Sequence, residues 1–501
     1  MPRPRLFPSL TLGVRPAKTT IFRWLYDELR RAILDRRLRA GEKLPSTREL
    51  AKQYQVARGT VVAVFEQLAA EGYIEPRRGS GAAVKRTLPE KYSEVSSPLM
   101  QGTVRPSAAF LSPRGLRFVR ATLPASQAPV RSVFQTDQPA LDLFPTALWG
   151  RIASRCLRGA QRSLLASGPA LGYLPLREAI ADYLRSVRGI KCSHEAIVIT
   201  SGTQHSLDLI SRLVLDQGDR VWMEDPGYPR AASLFRALGA KVVALPVDSE
   251  GLDCAAGRGR ARHARLAYVT PAHQFPLGVT MSISRRLELL RWAQSGNSWI
   301  FEDDYDGEFR FASRPLAALQ SLDESECVIY ASSFSKVMFP TLRLGYMVVP
   351  QRLIEPITAA RSLIDLYPPV LDQAVMCEFI TEGHFGRHLR RMREIYARRL
   401  EVLQSAASAK LNGLLQLTST RAGLQAIGWL HRSIRADDAE LAASARGINV
   451  IPLSRFALER PTRNGLMLGF AMADERILRQ GVEELARVLR SLKNQTLGRR
   501  A

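Results

Sequence analysis

The chain has 501 residues, 46% hydrophobic and 24% charged, a mix that suits several folded domains and excludes a single small module, a disordered chain or a collagen-like repeat. No apolar run approaches the roughly 20 residues of a bilayer span, and the start, MPRPRLFPSL, lacks the apolar stretch of a secretory signal. A soluble, cytoplasmic protein without membrane attachment is therefore expected. Cys156, Cys192, Cys254, Cys327 and Cys377 stand far apart with no C-x-x-C pair; neither a disulfide framework nor a metal site is indicated, and buried thiols are expected.

The formal charge is +24, and it is uneven: Met1 to Arg86 hold 18 basic and 8 acidic residues, so +10 falls on about a sixth of the chain. Such a concentration attracts polyanions, either nucleic acid or an anionic membrane surface, and charge alone does not choose between them.

Taken in chain order, Ile21, Leu25, Leu29 and Ile33 recur every four residues, the apolar stripe of a helix over about residues 20–37. Ser46 and Glu49 have the S-x-x-E spacing of a capping box and predict a second, short helix ending near Tyr54. Val61, Val64, Phe65 and Leu68 mark a third helix from Arg58 to about Glu71. Residues 73–84 then offer two short strands around the basic, Gly-rich Arg77-Arg78-Gly79-Ser80-Gly81. Helix, turn, helix and hairpin place Arg58 and Thr60 at the polar start of the third helix, where a recognition helix meets base edges and phosphates, with Arg48 on the backbone. A three-helix packing module with no DNA has the same spacing.

Residues 87–140 lose hydrophobic periodicity and gain Pro, Ser, Gly and Gln, the composition of a linker. Beyond Phe144, short apolar runs alternate with amphipathic helical patterns: Ile197 to Thr200, Val221 to Glu224, Ala267 to Thr270, Trp299 to Asp303 and Val328 to Ser332. Strands of that kind are buried on both faces, so an α/β domain with a mostly parallel sheet is expected, with ligands at the carboxyl ends of its strands. Chemistry accumulates there. Thr200-Ser201-Gly202-Thr203-Gln204 opens a helix as an anion-binding turn would; Glu302-Asp303-Asp304-Tyr305-Asp306 follows the fourth run; and Ser333-Phe334-Ser335-Lys336 follows the fifth, a setting that suits a lysine with Schiff-base chemistry.

Two resemblances join these pieces. LPSTRELAKQYQVARGTVVAVFEQLAAEGYIEPRRGSG closely resembles the GntR-type winged helix-turn-helix of bacterial regulators, over about residues 18–86. It implies DNA contacts at Arg48, Arg58, Thr60, Arg78 and Gly79. Ala57 and Gly59 stand where hydroxyl residues are common, which removes two points of base readout. S-x-S-K followed by R-x-G, with D-x-Y and SGTQ upstream, resembles an aminotransferase of class I and II, a fold-type I pyridoxal phosphate (PLP) protein, over about residues 141–495, with a smaller α+β subdomain at the C-terminal end. That resemblance implies Lys336 as the lysine that joins PLP, Asp303 as partner of the pyridine nitrogen, Tyr305 on the ring oxygen O3′ and Tyr228 stacked on the ring. Gly202, Thr203, Ser333 and Arg343 are implied to hold the phosphate. Two departures stand out. His273-Gln274-Phe275-Pro276 replaces the family's Asn-Pro motif, so Gln274 or His273 takes the place of the Asn that bonds O3′. Ser167 to Ala170 lack the tyrosine that reaches a neighbouring subunit's phosphate. For an anionic group on an incoming amine the candidates are Arg230 and Arg455.

A GntR-type reader followed by an aminotransferase-like body resembles the MocR regulators, the group with PdxR, GabR and TauR types. The resemblance implies a homodimer on a double-stranded DNA operator, with PLP as cofactor and either a small amine or amino acid, or PLP itself, as the signal. It implies a regulator rather than a metabolic enzyme, with partial transamination within reach. The competing expectation is a working aminotransferase that carries an accessory DNA-binding domain.

Overall fold

A computed structural model describes residues 10, 12–16, 19–77, 81–85, 111–122, 133–159, 162–311, 317–420, 422–459 and 463–498. The chain divides into two compact units, Met1–Ala109 and Phe110–Ala501.

The first unit is built on three helices, α1 (Ile21–Leu34), α2 (Thr47–Gln53) and α3 (Arg58–Ala70). Its apolar stripe starts one turn later than expected: Leu25, Leu29 and Ile33 are buried with Leu50, Val61, Val64 and Leu68, whereas Ile21 is exposed. The capping box at α2 is formed, with Glu49 N–H donating to Ser46 Oγ (3.3 Å) and Ser46 N–H to Glu49 Oε2 (2.8 Å). Strands β1 (Ile74–Arg77) and β2 (Gly81–Val84) pair antiparallel, Ile74 opposite Val84. The unit begins earlier than residue 18. Leu10 is buried in its core, Gly13 N–H donates to Glu28 Oε2 (2.7 Å), and Trp24 Nε1 donates back to Gly13 O (3.0 Å).

The second unit centres on an eight-stranded sheet. Its strands are β3 (Ile197–Thr200), β4 (Arg220–Asp225), β5 (Lys241–Asp248), β6 (Gly251–Leu252), β7 (Leu266–Val269), β8 (Trp299–Asp304), β9 (Val328–Ser333) and β10 (Gly345–Val348), in the order β3-β10-β9-β8-β7-β4-β5-β6. Strands β4, β5, β7, β8 and β9 are parallel, and β10 runs antiparallel between β9 and β3. The strands β3, β7, β8 and β9 are buried along nearly their whole length, as expected for a sheet covered on both faces by helices. Two antiparallel steps bring β3 back into the common direction, so the carboxyl ends of β3, β4, β7, β8 and β9 share one edge. Gly345 is opposite both Thr200 and Ser333, which sets the turns after β3 and β9 side by side.

Beneath the edge lies a buried ionic knot. Arg188 pairs with Asp304, and Tyr330 Oη donates to Asp304 Oδ2 (2.7 Å). Consecutive residues of β8 alternate faces, so anchoring Asp304 below turns Asp303 to the ligand side. The smaller subdomain carries a four-stranded antiparallel sheet, β11 (Leu415–Leu417), β12 (Gln425–Leu430), β13 (Ile451–Pro452) and β14 (Gly465–Gly469), ordered β11-β12-β14-β13. The five cysteines are free, four buried and Cys192 half-buried.

The linker expectation needs correction at both of its described ends. Ser112 caps a helix Pro113–Arg120, whose Arg117 donates to Ala237 O (3.2 Å) on the helix Pro229–Leu238. Residues 133–140 are part of the body: Phe134 is fully buried, its carbonyl accepts from Gly469 N–H (3.0 Å), and Asn449 Nδ2 donates to Gln135 Oε1 (3.0 Å). Polar composition hid a segment whose backbone, rather than an apolar stripe, does the docking. A Cβ at Gly469 would lie 1.9 Å from Gln135 O. Gly469→Ala should therefore expel residues 133–137, at a cost of about 1–3 kcal/mol for overpacking, seen as a lowered melting temperature and faster proteolysis between residues 111 and 140.

Candidate functional site

The shared edge of the strands holds a cavity of about 260 Å³ lined by Asp137, Gly202, Thr203, Gln204, Tyr228, Arg230, Tyr268, Phe275, Asp303, Tyr305, Ser333, Ser335, Lys336, Pro340 and Arg343. Nine of the eleven body positions assigned from sequence, with Gln274 or His273 taken as one, converge on it.

Lys336 emerges from the turn after β9, and its ammonium donates to Asp137 O (2.8 Å) and Asp137 Oδ1 (2.9 Å). Asp303, at the end of β8, accepts from Tyr268 Oη at Oδ2 (2.7 Å) and from Thr203 Oγ1 at Oδ1 (3.2 Å). Burial pushes its carboxyl up to about 7 against the opposing pull of these two hydroxyls. Tyr228 lies with its ring 25° from that of Tyr268, centroids 6.4 Å apart, and meets Phe275 edge-on at 5.9 Å.

The anion cradle follows from the sheet register. Gly202 caps the helix Thr203–Val214 with φ 111°, a conformation that favours glycine, and a Cβ there would stand 3.5 Å from Ser333 Oγ and 3.8 Å from Arg343 Nη1. Gly345 is the second obligate glycine, because a Cβ would lie 2.8 Å from Gly202 Cα and Ser332 O. A helix N-terminus, two hydroxyl side chains and a guanidinium thus meet at one point. Arg343 has no hydrogen-bond or ion-pair partner among the described residues, and Ser335 Oγ is buried and unpartnered among them. Such open donors fit a phosphate, and Asp303 across the cavity fits a protonated ring nitrogen. The residues present accommodate PLP.

Two residues are placed elsewhere. Gln274 does not line the cavity: its Nε2 donates to Glu224 Oε2 (3.1 Å), Pro226 O (2.9 Å) and Phe275 O (2.6 Å), while Oε1 accepts from Leu277 N–H (3.0 Å). Its amide is spent on holding two loops together, and Phe275 occupies the cavity wall in its stead. Arg455 is drawn out to Glu440, 2.7 Å away, and does not reach the cavity. Of the two arginines proposed for an effector anion, Arg230 alone lines it. Sequence reasoning missed Asp137, Tyr268 and Ser335. Asp137 sat in the polar stretch read as linker, and Tyr268 passed as one more apolar position of a buried strand, although a phenol in such a strand needs a partner.

In the first unit Arg48 and Arg58 are exposed, and Thr60 is half-buried. Arg58 Nε donates to Thr47 Oγ1 (3.5 Å), linking the two helices of the motif. The N-cap of α3 is Ala57, without a side-chain cap, so the first amides of α3 are not closed off by a side chain there. Arg78 and Gly79 lie outside the described residues.

Residues 139–479 match the family Aminotransferase class I and II, and residues 23–84 match Bacterial regulatory proteins, gntR family. The probable rhizopine catabolism regulatory protein MocR of Rhizobium meliloti is 37% identical, over 96% of this chain and 96% of its own. The HTH-type transcriptional regulator TauR of Rhodobacter capsulatus is 31% identical over 91% and 94%. Among solved structures, LysN, the α-aminoadipate aminotransferase of Thermus thermophilus complexed with N-(5′-phosphopyridoxyl)-L-leucine, superposes with a TM-score of 0.66 at 27% identity, covering 76% of this chain and 95% of that one. No helix among the described residues is long and apolar enough to cross a membrane. The chain belongs to the MocR family of transcriptional regulators, in which a gntR-type DNA-binding unit precedes an aminotransferase class I and II body with PLP as its cofactor.

Proposed function

We propose that this regulator changes its hold on an operator when the state of the Lys336 cavity changes, in response to an amino compound or to PLP itself. The observation that carries the reading is that Lys336, Asp303, Tyr305, Gly202 and Arg343 line one cavity, on the same chain as a gntR-type reader. When bound, PLP supplies an aldehyde that condenses with amines and a ring that withdraws electrons. Lys336 would supply the amine that joins the aldehyde, Asp303 would face the ring nitrogen and favour its protonated form, and Arg343 with Ser333, Gly202 and Thr203 would hold the phosphate. Arg230 offers the remaining cation, for an anionic group on the amine. In the first unit Arg48, Arg58, Thr60 and the wing residues Arg78 and Gly79 are assigned to DNA.

Linkage supplies the coupling. A ligand that binds two states of the body unequally shifts their populations, and a difference of about 1–3 kcal/mol changes operator affinity roughly 5- to 150-fold. Operator binding measured with and without PLP and a panel of amines tests this. Lys336→Ala should abolish borohydride-fixable PLP and leave operator affinity unresponsive to either. Steady transamination toward a keto acid with no operator binding would establish the enzyme reading instead.

Asp303→Asn separates cofactor electronics from fold. Its carboxyl, raised to about 7 in the folded chain, favours the folded state fully below the unfolded carboxyl range, and that contribution is lost as pH rises through about 7. The PLP-free variant should thus melt above the wild type at pH 8 and level with it only below the unfolded carboxyl range, about pH 4, while its affinity for PLP falls roughly 10- to 100-fold through loss of a charge-assisted bond.

A homodimer is part of the same proposal. Leu363 (88% exposed), Leu366 and Leu165 stand bare, on segments brought together where Gly168 packs against Tyr367 and Val370. Exposed leucines in one region mark a face for association, here with a second copy. Leu363→Asp with Leu366→Asp should yield monomers by sedimentation and weaken binding to a two-part operator by more than tenfold, since tethered half-sites gain avidity of that order or greater.

A further inference from the structure

The Asn that bonds the cofactor's ring oxygen in aminotransferases is missing here, and neither His273 nor Gln274 lines the cavity in its place. His273 is instead buried beside Asp306, at 5% and 2% exposure. Its Nδ1 lies 3.1 Å from Asp306 Oδ1, 3.0 Å from Asp306 Oδ2 and 3.2 Å from Tyr305 Oη.

These three distances decide where protons point. A carboxylate only accepts, so Nδ1 carries the hydrogen that Asp306 receives. A nitrogen that carries its hydrogen cannot accept from Tyr305. With that hydrogen directed to Asp306, Nδ1 offers Tyr305 no acceptor, and the hydroxyl hydrogen of Tyr305 is free to point into the cavity that Tyr305 lines. The ring cannot turn away. A Cβ at Gly278 would stand 3.1 Å from His273 Nε2, and one at Gly423 would stand 2.2 Å from Cε1 and 2.9 Å from Asp306 Oδ2, so backbone closes on the imidazole. His273 Nε2 is buried and finds no partner among the described residues, so nothing competes for the ring's orientation from the far side. The phenyl of Phe275 meets Tyr305 edge-on at 5.8 Å and holds it from another direction.

We propose that His273 is a positioning residue: clamped by Asp306, it commits the Tyr305 hydroxyl to donate into the cavity, and so fixes the direction of the hydrogen bond to the cofactor's ring oxygen that is left when the family's Asn is absent. The surrounding charges agree with this. Burial, then Asp306, Asp137, Asp303 and Glu224, hold the Tyr305 phenol well above its ordinary range, so it keeps the proton it donates. Arg310 is a cation near Asp306, and it donates to Ala272 O (3.2 Å) and Thr280 Oγ1 (3.4 Å).

The inference rests on the cavity holding PLP, and the experiment separates the two. The PLP-loaded, full-length protein is titrated with pH while its visible absorption is followed. A wild type with no PLP-dependent band would overturn the cofactor reading itself. A donor to the ring oxygen stabilises negative charge there, so removing it raises the titration midpoint. Tyr305→Phe and His273→Phe should each raise it by roughly one pH unit, a tenfold change in proton affinity. In the Tyr305→Phe background, His273→Phe should add less than a third of its own shift, because the pair acts through one hydroxyl. An unchanged midpoint in His273→Phe, or shifts that add, overturns the proposal. Should His273→Phe fail to fold, Asp306→Asn gives the same reading, since an amide no longer dictates the Nδ1 hydrogen: a raised midpoint supports the relay, and an unmoved one overturns it.

Discussion

The cavity is organised by two charges that are kept from neutralising each other. Asp303 is buried at the end of β8, held by the hydroxyls of Tyr268 and Thr203, and Lys336 is drawn aside to Asp137. Direct pairing would relieve the cost of burying the carboxyl, and the fold declines it. A buried carboxyl raised to about 7 is one whose charged form waits for a cation from outside the chain. A pyridinium is such a cation. A ligand that brings such a cation recovers part of the stability forgone at Asp303, a trade common at functional sites.

The antiparallel β10 makes this arrangement possible. It separates β3 from β9 while keeping both pointed the same way, and Gly345 lets Gly202 approach within the space a methyl would fill. Arg343 enters the cradle from the turn before β10 with φ 47°, a left-handed conformation that costs a residue with a side chain about 1 kcal/mol or more. The surrounding turn imposes it, and the guanidinium is left without a protein partner among the described residues.

Most of the chemistry was legible in the sequence because it resides at strand ends, where short apolar runs stop and hydroxyl, acidic or lysine residues begin. Ser201 to Thr203, Asp303 to Tyr305 and Ser333 to Lys336 are each of that form. The capping box at Ser46 was legible for the same reason: spacing and mechanism coincide. What escaped was placed by tertiary contact. Residues 133–140 dock through backbone hydrogen bonds and one buried phenylalanine, which leaves no periodicity to read. Gln274 and Arg455 failed as site residues because each found a nearer partner, the carbonyls and carboxylate around Glu224 in one case and Glu440 in the other. An amide or a guanidinium carries no sign in sequence of which neighbour will claim it.

Asp137 gives the site its connection to the rest of the chain. It belongs to residues 133–140, which dock on the body, and it holds the ammonium of Lys336. Any event that engages the lysine elsewhere removes both of its bonds to Asp137 at once, while residues 133–140 keep their ties to β14, Asn449 and Tyr396. Asp137 is thus the contact through which a change at Lys336 reaches residues 133–140.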